Sequence, residues 1–535
     1  MSATIRKRSR IACTSCQLRK RKCSGEQPCS NCAQSGSGCY YDFQSRKKKD
    51  VKANGKPGLA INPPPKRTNL QDDQGVDRIS SVEANSGAAF VRKLGLTIDP
   101  THAPRLHMFA WNVGPRGSPG STCLGADATV VDIISQAEMV ALSTVYFDRV
   151  DPCYSFIDRE TLLHHVDKRW LSTSNAPDAY DAVLCGVAAF GFLFSRRSAP
   201  AAEHQLLEAA RLILEQHLSD ETPSVAVVTG WVLRAAYLRM TATPHIAWMA
   251  SCSLMHLVEA AVLMQQSLGP NTNTDPEIRR RLFGMARHLN TWISFDLGRS
   301  RVVLQGSTTL PPTPRTGDYT TELFHLLPAS ESLDPTNTTT ADGSGLEASL
   351  ADVLDVVHAV APLILAQCNL VLCIYRRLRV ATPTISPGLL DRILTLAGKS
   401  LAAAREMAAV SNPWHQIANV PFQIVCTCLA IDSRASLALL GEAMRALHAV
   451  RDAYDTPVTR EAYSTAYLLV RLHRHRREED TRVLASVLEN DPPTGLGVGI
   501  PASDPETHGL SDALWGEEWL DLQNFDLDEF LNFSM

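Results

Sequence analysis

The sequence predicts a mostly α-helical protein: a small cysteine-rich module in front, a disordered linker, a large all-α body, and a disordered acidic tail behind. Three observations predict this layout. Between about residues 130 and 480, apolar residues recur at spacings of three and four, with capping residues and prolines where helices begin or end. Strict alternation, the mark of strands, is scarce in the same stretch. The charge is also unevenly placed. Residues 1–67 hold 16 Lys/Arg against 3 Asp/Glu, residues 483–535 hold 11 Asp/Glu and no Lys or Arg, and the stretch between is nearly neutral. A basic head suits a polyanion, and an acidic tail suits a protein partner. With 535 residues, 44% of them hydrophobic, the chain can bury a large core.

The head is governed by CTSCQLRKRKCSGEQPCSNCAQSGSGC, which runs from Cys13 to Cys39. Upstream of it, the opening residues MSATIRKRSR reach charge without the apolar stretch of a secretory signal, so a reducing compartment is expected. There, clustered cysteines bind metal or do redox chemistry rather than form lasting disulfides. Cys13, Cys16, Cys23, Cys29, Cys32 and Cys39 fall into two mirrored halves, each a C-x2-C, then six residues, then another cysteine. Thiolates bind zinc tetrahedrally, and two separate four-coordinate sites need eight ligands. Six suffice if two thiolates bridge both metals. The run Arg19-Lys20-Arg21-Lys22 lies between the second and third cysteines, where phosphates would relieve its repulsion best.

These six positions, the basic run and Pro28 closely resemble the fungal binuclear-zinc-cluster transcription factors. The resemblance implies two structural zinc ions, with Cys13, Cys16, Cys23 and Cys29 around one and Cys13, Cys29, Cys32 and Cys39 around the other. It implies that a short helix from about Ser15 to Lys22 enters the major groove of duplex DNA and reads a CGG-type triplet. Lys20 is then the expected base contact with Arg19 beside it, since both side chains suit the O6 and N7 acceptors of guanine. Arg21, Lys22 and Arg10, with the flanking runs 6–10 and 46–49, would pair mostly with phosphates. About five such contacts give a salt slope of about −4.5. Many members of the family have Arg or Lys after the second cysteine, where this chain has Gln17, which brings no charge to a phosphate. The flanking basic runs also suit nuclear import. The rival readings of the cysteines are a purely structural zinc knot for protein or RNA contacts and a redox cluster.

The module is expected to span residues 1–43 and the Pro-containing linker 44–85. Leu70, Val76, Ile79 and Val82 make no clean pair of heptads, so the linker holds no coiled coil and a homodimer stays open. The body is expected over 86–480, with Phe90, Phe109 and Trp111 as its first anchors. HQLLEAARLILEQHL places Leu206, Ala210, Ile213 and His217 or Leu218 on one stripe. Asp275 and Pro276 start a helix carrying Ile278, Leu282, Met285, Leu289 and Trp292, and Leu437, Leu440, Met444 and Leu447 repeat the habit. VYFDRVDPCYSFIDRETLL (145–163) and RRRLFGMARHLNTWISFDLGRSRVVLQG (279–306) resemble the fungal-specific regulatory domain of the same family. The apolar stretches Ala182–Phe194 and Ala359–Tyr375 read as core helices, with no membrane partner. The eight body cysteines fit no zinc pattern and read as core. The run from His473 to Arg477 reads as a solvated helix end.

The tail, 481–535, interleaves Trp515, Trp519, Phe525, Phe530 and Phe533 with acids. Repulsion among the acids keeps such a segment open while its aromatics stay available to a coactivator groove. An acidic activation domain is expected, or else a C-terminal helix docked on the body. Enzyme motifs fail on inspection. Gly398-Lys399-Ser400 lacks the first glycine of a phosphate loop, with Ile393 in its place, and Gly495, Gly497 and Gly499 lead to Ile500. HExxH and GxSxG do not occur. The expected function is a nuclear, sequence-specific regulator of transcription. By resemblance it is a pathway-specific activator, such as one governing a metabolic or secondary-metabolite gene cluster, with a repressor of the same family as the alternative.

Overall fold

A computed structural model describes residues 13, 16, 23–24, 29–35, 87–104, 110–115, 129–173, 176–263, 275–331, 333, 343–382 and 385–490. The expected linker and most of the acidic tail lie outside these residues, as do Phe109, Cys123 and the glycines at 495–499. The chain divides into two compact units, 1–75 and 76–535. In the first, the described helix is α1 (Ser30–Ser35).

In the second unit the described secondary structure is helical, apart from an isolated bridge between Arg315 and Asp318. Its first half comprises α2 (Gly87–Ile98), α3 (Val130–Ile133), α4 (Gln136–Arg149), α5 (Arg159–Leu171), α6 (Ala179–Ser195), α7 (Ala201–Gln216), α8 (Val225–Thr241), α9 (Pro244–Ala260) and α10 (Pro276–Leu297). Two short helices follow, α11 (Thr320–His325) and α12 (Leu327–Glu331). The second half comprises α13 (Gly343–Asp355), α14 (Ala361–Ala381), α15 (Pro387–Ala409), α16 (Gln416–Ile431), α17 (Arg434–Ala438), α18 (Leu440–Tyr454) and α19 (Pro457–Asn490).

One continuous core runs from Val91 to Leu469, so both halves belong to a single folded body. Helix α6 is its first centre, packed by α4, α7 and α8. It is apolar nearly all round, and Ala182–Phe194 is buried throughout except at Gly186, as a helix with neighbours on every side requires. Its approach to α4 is close at Gly191, where a Cβ would lie 2.6 Å from the Leu142 carbonyl oxygen. The other apolar stretch forms α14, which is long and apolar enough to cross a membrane but buries 83% of its apolar window inside the body.

Helix α10 forms as its sequence signals. The Asp275 carboxylate accepts from the Glu277 amide, Pro276 occupies the first turn, and Gly298 closes the helix at φ 62°, a left-handed conformation that suits glycine. Leu282, Met285, Leu289 and Trp292 are buried and Ile278 is half-buried. The same helix carries buried charge. Arg281, fully buried, pairs with Glu277 and Asp318 and donates to the carbonyls of Ser155 and Thr313. Asp296 pairs with Arg239 at 2.7 Å and accepts from Asn369 at 2.9 Å, which links α8, α10 and α14. The Arg239 guanidinium lies over the Trp111 ring and donates to the Trp111 carbonyl.

Several expectations need correction. Helix α7 stops at Gln216, because His217 bonds Asp220 and turns the chain, and Leu218 is left exposed. Leu437 is only half-buried and belongs to α17, a separate short helix held by the Ser436 hydroxyl bonding back to the Cys428 carbonyl. His473–Arg477 is no helix end: α19 continues to Asn490, past the expected tail boundary at 481. His473 is buried, and it shares Asp432 with Arg477. The cysteines at 153, 185, 368, 373, 426 and 428 are buried as expected. Burial pushes the Cys153 thiol up to about 12 and the Cys373 thiol to about 11. Gly398-Lys399-Ser400 lies inside α15, a helix and not a phosphate loop.

Candidate metal centre and nucleic-acid interface

Cys13, Cys16, Cys29 and Cys32 converge, all four buried, with their sulfurs within 4.8 Å of one another. Cys13 Sγ lies 3.7 Å from Cys29 Sγ and 3.6 Å from Cys32 Sγ, and Cys16 Sγ lies 3.6 Å from Cys29 Sγ. A tetrahedron of thiolates at the usual zinc–sulfur distance has edges of about 3.8 Å. None of the described cysteines is in a disulfide. The donor set therefore fits zinc: soft, clustered, with neighbouring sulfurs spaced as ligands of a shared metal are.

The two C-x2-C halves are mirrored in their hydrogen bonds as well as in their spacing. The Cys16 amide donates to Cys13 Sγ at 3.4 Å, and the Cys32 amide acts on Cys29 in the same way. Amides pointing at sulfur favour the thiolate, which is the form that ligates metal. The Cys32 amide pulls Cys29 down to about 6, and the Cys16 amide lowers Cys13. Burial, foremost, and the sulfurs of Cys29 and Cys13 push Cys16 up instead. Such an array discharges its protons fully only when a cation takes their place.

Helix α1 starts at this centre. The Cys29 carbonyl accepts from the amides of Cys32 and Ala33, and the Ser24 hydroxyl accepts from the Ser30 amide at 3.0 Å. Sequence reasoning missed Ser24; its one signal is a serine directly after the third cysteine. Cys23 packs against the buried four. Cys39 lies outside the described residues, as do Arg10, Arg19, Lys20, Arg21, Lys22 and the tail aromatics Trp515, Trp519, Phe525, Phe530 and Phe533.

Comparison with known proteins agrees with this geometry. Residues 11–48 match the fungal Zn(2)-Cys(6) binuclear cluster domain. Residues 144–341 match the fungal specific transcription factor domain and contain both body stretches noted above. Protein RDR1 of Gibberella zeae is 42% identical over the full length of both chains. Transcription factor kojR of Aspergillus oryzae is 38% identical over 98% of this chain and 94% of its own. Protein RDR1 of Saccharomyces cerevisiae is 31% identical over 90% and 92%. With a mirrored thiolate centre in front and a helical regulatory body behind, the chain belongs to the fungal Zn(2)-Cys(6) binuclear cluster transcription factors and is a zinc-dependent, DNA-binding regulator of transcription.

Proposed function

We propose that the protein is a nuclear, pathway-specific activator that reads CGG-type triplets through the basic run beside its zinc cluster. Two zinc ions share Cys13 and Cys29; Cys16 and Cys23 complete one site, Cys32 and Cys39 the other. The observation that carries the reading is the convergence of Cys13, Cys16, Cys29 and Cys32, with Cys13 and Cys29 in contact at 3.7 Å, where bridging ligands belong. Zinc here has a structural role: it folds the loops and presents Arg19–Lys22. Lys20 and Arg19 contact guanine edges, while Arg21, Lys22 and Arg10 neutralise phosphates. The acidic aromatic tail, through Trp515, Trp519, Phe525, Phe530 and Phe533, engages coactivators.

The test is selection from a random duplex library with the zinc-loaded chain. Enrichment of CGG-type triplets supports the reading, and their number and spacing report whether one copy or two bind. Lys20→Ala should relax the guanine preference by about 1–3 kcal/mol, and Arg21→Ala should weaken all sequences alike. If zinc binds at two per chain but no sequence emerges, the cluster is a structural knot. Fusing residues 483–535 to a foreign DNA-binding domain separates activator from repressor, since only an activation segment raises reporter output.

A further inference from the structure

A groove of about 590 Å³ opens where α2, α14, α16 and α19 meet. Its floor is apolar, from Phe90, Leu94, Ile98 and Leu429. Lys93, Arg376, Arg379 and Arg476 line it with positive charge, and Asp432 is the acidic side chain among the lining residues. That carboxylate is already held by His473 and Arg477. Arg379 and Arg476, both exposed, donate to the carbonyls of Ala430 and Thr97. Among the described residues neither forms an ion pair. An apolar floor rimmed by cations selects a ligand with aromatic or aliphatic bulk and carboxylates beside it.

The chain carries such a segment and delivers it from the groove's own wall. Helix α19, which supplies His473 and Arg476, ends at Asn490. The 45 residues beyond it contain 10 Asp/Glu, no Lys or Arg, and two tryptophans and three phenylalanines between 515 and 533. Arg476 lies about 21 Å back along the helix from Asn490. The 24 residues to Trp515 reach up to about 80 Å when extended, which is ample for the chain to fold back. We propose that this groove binds the chain's own acidic aromatic tail, residues 511–533, the aromatics resting on Phe90 and Leu94 and the carboxylates on Arg379 and Arg476. Tail and coactivator then compete, so the body withholds the tail until something displaces it. This consequence rests on the tail being an activation segment, whereas the contact itself does not.

A labelled peptide of residues 511–535 separates the two questions. Titrated into the chain ending at Asn490, it should bind at least tenfold tighter than to the full chain, whose groove is already filled. Arg379→Gln with Arg476→Gln keeps a donor for each helix-end carbonyl and removes the charge. That double variant should weaken the peptide at least tenfold while the melting temperature stays put. On the full chain, a carbodiimide should join Lys93 to tail carboxylates, and mixing isotope-labelled with unlabelled chains reports whether the join lies within one molecule. Equal peptide binding by the two chains, binding untouched by the double variant, or joins found only between molecules would each overturn the proposal. Reporter output is read separately: a docked tail that fails to activate on its own refutes the activator reading and leaves the contact standing.

Discussion

The zinc knot and the helical body solve the same problem in opposite ways. Around Cys13, Cys16, Cys29 and Cys32 the buried cluster contains those four cysteines and, packed on it, Cys23. The body instead buries a continuous core from Val91 to Leu469. A module of some forty residues cannot remove enough apolar surface from water to offset the entropy of ordering its loops, so a metal must supply the difference. A body of this size needs no such help, and it can carry buried charge on α10 at some cost to its stability.

The largest expected effect breaks the comparison outright. Removing zinc with a strong chelator should unfold the front module, whose metal binding is worth about 10 kcal/mol or more, and abolish binding to the selected duplex. The melting transition of the body should be unchanged in the same sample. Calorimetry alongside fluorescence anisotropy with labelled DNA reads both; a body that melts early without zinc would mean that the two regions share their stability.

Next in size is the buried charge of α10. Arg281→Ala strands Asp318 without its guanidinium, leaves Glu277 to Arg280 alone, and should cost about 3–5 kcal/mol in denaturant unfolding. Zinc content should remain at the wild-type value. Smaller again is Gly191→Ala. Its new methyl meets the Leu142 backbone at 2.6 and 2.8 Å, so α4 and α6 must part, at about 1–3 kcal/mol. Because the contact is with backbone, no side-chain rotation relieves it. Wild-type stability in the Gly191→Ala variant would show that α4 and α6 can separate freely.

The same contrast explains how far the sequence could be read. The two cysteine pairs that converge in the knot were legible because spacing alone brings Cys13 beside Cys16 and Cys29 beside Cys32. The ends of α10 were legible for a similar reason, since Asp275 and Pro276 act within one turn. His473 was misread because its partner, Asp432, is 41 residues away. Asp432 reaches it from a left-handed position at φ 55° beyond the end of α16, which no local pattern announces. The groove was invisible for the same reason, its lining being drawn from four separate stretches between residues 90 and 476. Nothing in the sequence marks Arg281 and Arg239 as buried, because burial of a charge depends on what closes over it.

The smallest expected effect sharpens the contrast through a response of the body to pH near neutrality. Asp151 lies just past the end of α4, and among the described residues its Oδ1 has no hydrogen-bond partner. Burial, with Asp318 adding repulsion and Arg281, Ser155 and Arg315 opposing, raises its carboxyl from the ordinary 3.8 to about 7. The folded chain therefore holds a proton there that the unfolded chain has released. The stability this confers is complete below about 3.8 and is lost as pH rises toward 7. Between pH 6 and pH 8 the loss from this one group should be about 1.4 kcal/mol, one unit of the window. His288 works in the other direction. Burial and then Arg239 lower it to about 3, so its contribution is present above 6.5 and lost as pH falls. A single pH curve mixes the two, but the difference between wild type and Asp151→Asn does not. The Asn variant should gain on the wild type by about 1.4 kcal/mol from pH 6 to pH 8 in urea unfolding, and a constant difference would show that Asp151 is ionised throughout.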